Sequence, residues 1–93
     1  MEKNSKTVLF MTTRQWLVET KNPHTVRVDH WYIWSGKVHI YVDNALVYER
    51  PRKLFDTTGL EHRFKVDDLP YIVWIFYRTW SFEYELWVDG KLQ

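Results

Sequence analysis

The sequence has no cysteine, only three glycines and three prolines, and almost no imbalance of charge. Without cysteine it can form no disulfide, offer no thiol nucleophile and hold no metal through thiolates. Small secreted domains commonly rely on disulfides, so their absence points to a reducing compartment, and a cytoplasmic location is expected. Thirteen Lys and Arg stand against twelve Asp and Glu, a formal charge of +1. That balance lacks the strong basic field of a nucleic-acid partner. Long apolar runs are missing too. Thr7-Val8-Leu9-Phe10-Met11 is too short for a secretory core and far too short to cross a bilayer. A soluble, unprocessed chain with no membrane partner is expected, its polar residues 1–6 a flexible segment.

Aromatic residues are what the chain has in plenty: six Trp, six Tyr and five Phe, or 18% of 93 residues. The length suits one compact domain over 1–93. Large rings bury much area per residue and so help a small core that has no crosslinks.

No segment sustains a helical period over three turns. Short alternating runs between turn residues appear instead, as in antiparallel sheets. Residues 7–11 and 14–20 are the first strand candidates, before Lys21-Asn22-Pro23 breaks the pattern. Residues 24–31 alternate next, with Val26, Val28 and His30 on one face. After Ser35-Gly36, Val38, Ile40 and Val42 point inward from residues 37–43. Asp43-Asn44 then turns the chain into 45–49 as a tight hairpin. Arg50-Pro51-Arg52-Lys53 reads as a hydrophilic crossover and Thr57-Thr58-Gly59 as a turn. In 61–66, His62, Phe64 and Val66 share a face, and Asp67-Asp68-Leu69-Pro70 is expected to end that run. Residues 71–77 are nearly all apolar, as in a central strand. Phe82, Tyr84, Leu86 and Val88 alternate inward, and Asp89-Gly90 makes the last turn. The expected fold is all-β, a small antiparallel β-sandwich of seven to eight strands.

The order and spacing of several of these pieces resemble the repeated β domain of the Fas apoptotic inhibitory molecule family. The resemblance rests on His24-Thr25-Val26-Arg27-Val28-Asp29-His30, on Ser35-Gly36-Lys37 and on Tyr41-Val42-Asp43. Phe64 and Val66, residues 71–75 and the ending Phe82-Glu83-Tyr84-Glu85-Leu86-Trp87-Val88-Asp89-Gly90-Lys91 extend it to roughly three quarters of the chain. It implies an eight-stranded sandwich and a non-enzymatic, cytoplasmic module that works through protein–protein contacts. Animal members carry two such domains and are associated with inhibiting death-receptor apoptosis and protecting against aggregation. This chain holds one domain, with Asp43-Asn44 where the family's hairpin usually has Asp-Gly.

Candidate binding residues are the rings that fall out of phase with the inward alternation. Tyr41 and Trp87 are out of phase on their strands, and Trp74 shares a strand with Val73 and Ile75 on the opposite face. Trp31, Tyr32 and Trp34 flank the Ser35-Gly36 turn, where they either seal the core or form a platform. Tyr41, Trp74 and Trp87 on a single sheet would make an exposed stripe suited to self-association, while cross-strand pairing alone would also account for them. Flat exposed rings suit a sugar as well, so a carbohydrate-binding module is the alternative. The histidines give no metal site, because His24 and His30 lie about 20 Å apart on one strand and the others sit on separate runs. His30, beside Asp29, is expected at a turn or edge. Glu83 and Glu85 read as a solvated face and Asp67-Asp68 as a turn, so no catalytic pair converges. Neither an enzyme nor a cofactor is expected.

Overall fold

The computed structural model describes residues 11–32, 36–51, 59–79 and 81–93. They form eight strands: β1 (Met11–Val18), β2 (His24–Trp31), β3 (Lys37–Val42), β4 (Ala45–Arg50), β5 (Leu60–Val66), β6 (Leu69–Arg78), β7 (Ser81–Val88) and β8 (Lys91–Leu92). Two four-stranded antiparallel sheets result, ordered β1-β2-β3-β4 and β5-β6-β7-β8, so each strand pairs with its neighbours in sequence. The expectation of an all-β, antiparallel chain of seven to eight strands is met at eight. The chain divides into two compact units, Met1–Thr57 and Thr58–Gln93, with one sheet in each.

The first sheet is organised by its central hairpin. Val26 pairs with Val42, Val28 with Ile40 and His30 with Val38, and all six are buried. Their period of two sends every second side chain to the same face. Each fully buried Val or Ile there contributes about 1.5–3 kcal/mol of hydrophobic stabilisation. His30, the last residue but one of β2, is thus a core residue on the face of Val26 and Val28, as the alternation has it, and not the turn or edge residue its neighbour Asp29 suggested. The first two strand candidates also need revision, because Met11–Val18 is one strand, and residues 7–10 lie outside the described residues. On the edge strand β4 the register slips: Ile40 pairs with Tyr48 but Tyr41 with Leu46, which leaves Val47 as an extra, bulged residue. That slip leaves Leu46 and Val47 both exposed.

The second sheet repeats the plan. Tyr71 pairs with Val88, Val73 with Leu86 and Ile75 with Tyr84, again all buried. Asp43 N–H donates to the Thr25 carbonyl at the end of the first hairpin, and Asp89 N–H donates to the Pro70 carbonyl at the end of the second, each at 2.8 Å. The 61–66 run ends at Val66 with the Asp67-Asp68 turn, as expected, but Leu69 and Pro70 already belong to β6, where the Pro70 carbonyl accepts from Asp89 and no donor is needed of it.

Asp43-Asn44, Asp67-Asp68 and Asp89-Gly90 each place both residues at positive φ, between 51° and 78°. Positive φ at both central residues is what a type I′ hairpin turn requires, and Asp, Asn and Gly tolerate it best. Asp43 is fastened further. Its Oδ1 accepts from Thr25 N–H at 2.9 Å and its Oδ2 sits 2.6 Å from His24 Nδ1. The His24 hydrogen bond, then the Thr25 amide, hold its carboxyl below the ordinary value of 3.8. A carboxyl lowered in the folded state stabilises it above the unfolded pKa, and that contribution fades as pH falls through the folded one. Asp43→Asn keeps a residue suited to positive φ and removes only the charge. Thermal melts are expected to show the variant less stable than the parent at pH 6, with the difference closing below about pH 4. An equal deficit at every pH would refute this role for the carboxylate.

Candidate interaction surface

Both sheets turn their out-of-phase residues to an outer face, and the two faces differ in chemistry. On the first, Trp31 and Tyr41 stand on adjacent strands with His39 between them. His39 meets Trp31 edge-on at 5.0 Å, and its Nδ1 lies 3.2 Å from the Tyr41 hydroxyl and its Nε2 3.2 Å from Glu49 Oε2. Arg27 lies over the Tyr41 ring at 4.1 Å and Lys37 over Trp31 at 4.9 Å. Asp29 accepts from Thr13 Oγ1 at 2.9 Å and sits 3.5 Å from Arg27 Nε. The rings on this face are thus committed to neighbours within the sheet, as cross-strand pairing would have them. Tyr32 follows β2 with its ring 6.0 Å from that of His30. Trp34 lies outside the described residues.

The second sheet's outer face is apolar along its middle. Ile72, Trp74 and Phe76 follow one another on β6, and Trp74 meets Phe76 edge-on at 5.8 Å. Rung by rung, Arg63, Ile72, Trp87 and Leu92 form one row, and Glu61, Trp74 and Glu85 the next. Trp74 is 44% exposed and Leu92 55%. Trp87 is half-buried and donates its indole N–H to Glu85 Oε1 at 3.0 Å. Trp74 and Trp87 therefore share a stripe, but Tyr41, expected with them, is on the other sheet. Strand phase placed Tyr41 and Trp87 on an outer face correctly and left open whether Trp74 or Val73 and Ile75 would face outward on β6; Trp74 does. It carried no information on which sheet each strand would join.

Ile72 and Phe76, missed at first, complete the stripe. The available signal was their parity with Trp74 in the apolar run 71–77. The matching rungs of the two sheets show how specific the stripe is. Pairing relative to the buried hairpin sets Ile72 against Arg27, Trp74 against Asp29 and Trp87 against Tyr41. Where the first sheet carries a charged network, the second carries exposed hydrocarbon.

Other clusters have structural roles. Arg50 donates through Nε and Nη2 to the Gly36 carbonyl at 3.0 and 2.8 Å, which makes it an anchor between strand ends; Arg52 and Lys53 lie outside the described residues. His62 stacks on Phe64 at 5.6 Å, and burial lowers its pKa below 6.5. An open cleft of about 270 Å³ lies along Arg63, Phe64, Lys65, Pro70, Tyr71 and Ile72. Among the described residues no three His, Asp or Glu converge to hold a metal, and no helix is long and apolar enough to cross a membrane.

The model of the Fas apoptotic inhibitory molecule (FAIM1) family matches residues 12–93. The chain belongs to this family. The match runs from the second residue of β1 through β8, so both sheets of the chain are FAIM sheets. As a FAIM-family domain it is a non-enzymatic protein module. No curated protein and no solved structure gave a match.

Proposed function

We infer that this FAIM-family domain is a protein-interaction module whose binding surface is the outer face of the second sheet, and that one partner is a second copy of itself. The observation that supports it most is Trp74. A tryptophan on a central strand, 44% exposed between Ile72 and Phe76, leaves a large apolar ring in water where the equivalent rung of the first sheet has a hydrogen-bonded aspartate. Exposed aromatic patches on small domains are characteristic of contact surfaces, and Trp is among the residues that dominate their energetics. The lack of cysteine supports a cytoplasmic setting for that encounter.

Sedimentation equilibrium from roughly 10 µM to 1 mM tests the reading, a range that spans weak protein association. The mass is expected to rise with concentration, and Trp74→Ser is expected to weaken association about tenfold or more. A chain that stays monomeric throughout would remove self-association. Glycan binding is the other use of such a face. Polysaccharide that quenches the fluorescence of the parent but not of Trp74→Ser, with the mass unchanged, would favour the glycan instead.

A further inference from the structure

We propose that two copies stack their second-sheet outer faces about a two-fold axis that lies between the sheets, runs across the strands and passes midway between the Ile72 and Trp74 rungs. This rests on the self-association reading above and specifies its geometry.

Charge placement selects the axis. Closed dimers use the same patch on both copies, so each residue meets its image across the two-fold. An axis parallel to the strands lays β5 over the second copy's β7 with rungs kept level. Glu61 and Glu85 share the Trp74 rung, so that arrangement sets carboxylate over carboxylate. An axis across the strands lays β5 over β5 and inverts the rungs. On the Trp74 rung it would bring Glu61 over its own image, and on the Ile72 rung Arg63 over its own. Midway between those rungs the like charges separate. Arg63 then meets Glu61 of the second copy, and Glu61 meets Arg63 of the second copy.

The rest of the face suits this register. Ile72 lies over Trp74 of the second copy, and the Trp87 indole over Glu85. Lys65 falls opposite Gly59, which has no side chain, and Arg78 falls opposite the Asp68 turn. One like-charge approach remains at the rim, Glu83 with Asp89, and Arg78 Nη1 stands 3.8 Å from Glu83 Oε1 to offset it. Within one chain Arg63 already donates to Glu61 Oε2 through Nε at 2.8 Å and Nη2 at 2.5 Å, so both groups are held on the outer face. Three long strands present a face of about 14 by 24 Å, from strand spacing and rise. That is well below the ~800 Å² per partner of a stable complex, so a dissociation constant on the order of 100 µM is expected.

Charge reversal tests the register. Glu61→Arg makes this corner of the face wholly basic, and Arg63→Glu makes it wholly acidic. Each variant alone is expected to associate at least tenfold more weakly than the parent in sedimentation equilibrium. An equimolar mixture of the two is expected to form a heterodimer, and the Glu61→Arg/Arg63→Glu double variant to recover the parent's mass. Both single variants lose the bridge within the chain, so loss of that bridge cannot produce a heterodimer. Circular dichroism melts establish that each variant is folded. A parent that dimerises while the mixture stays monomeric overturns this register and leaves self-association standing. A parent monomeric at about 1 mM overturns both. A heterodimer indifferent to Trp74→Ser means that β5 edges pair side by side, and it overturns the stacked geometry.

Discussion

Gly59→Ala is expected to cost about 3 kcal/mol or more and to lower the melting temperature by roughly 15 °C. Gly59 precedes β5, where the chain comes down onto the backbone of β6. A Cβ at this position would collide with the Ile75 carbonyl oxygen, with the Ile75 carbonyl carbon at 3.0 Å and Phe76 Cα at 3.1 Å. All three are main-chain atoms of the sheet's central strand, so no side chain can swing aside. Relief requires β5 to lift from β6 at the Leu60–Ile75 rung, which loosens an edge strand carrying Phe64 and His62. The glycine is needed for close approach and not for its φ, since of the three glycines Gly36 and Gly90 are the ones with positive φ. Gly90→Ala is the informative contrast, because its Cβ meets nothing within 4 Å and the cost there is confined to φ. Chemical denaturation of both variants checks the ordering. A Gly59→Ala protein within about 1 kcal/mol of the parent would refute the close approach.

Tyr71→Ala is expected to cost about 3–5 kcal/mol, against a total stability of roughly 5–14 kcal/mol for a chain of this length. Tyr71 is the largest fully buried side chain among the described residues, on the central strand of the second sheet. Phe64 and Val88 flank it on the neighbouring strands, and its ring centroid is 5.5 Å from that of Phe64. Truncation to alanine removes the ring and leaves a cavity between two strands that cannot both close on it. Tyr71→Phe keeps the ring, and its stability is expected to stay within about 1 kcal/mol of the parent. Guanidinium unfolding of the pair separates ring from hydroxyl. Equal losses in the two variants would place the stabilisation in the hydroxyl and refute a packing role.

Most of the strand plan was legible in the sequence, because alternation is a local signal. Val38, Ile40 and Val42, and likewise Tyr84, Leu86 and Val88, announce their buried face by spacing alone. Asp43-Asn44 and Asp89-Gly90 announce their turns by a tolerance of positive φ. Local rules were incomplete where a non-local partner sets the role of a residue. Pro70 sits beyond the expected ending at Val66, yet it belongs to the next strand because Asp89, nineteen residues on, uses only its carbonyl. His30 shares the phase of Val26 and Val28 while Asp29 beside it suggests a turn or edge, and the register with Val38 decides for the core. Gly59 closes an expected turn whose residues 57 and 58 lie outside the described residues, and its small size is required by a backbone sixteen residues later.

The sequence by itself determined an all-β chain without thiol chemistry, with outer-face rings at Tyr41 and Trp87 and a FAIM-like order of motifs. Side-chain parity follows from backbone pleating, so it needs no partner strand. Tertiary structure alone decided which rings share a face. Strand order put Trp31 and Tyr41 beside Arg27, Lys37 and His39, where cations and hydrogen bonds occupy them. It put Trp74 and Trp87 beside Ile72 and Phe76, with no cation on either indole among the described residues. Exposure depends on neighbours distant in sequence, and so which rings stay exposed was decided only by the pairing of the strands.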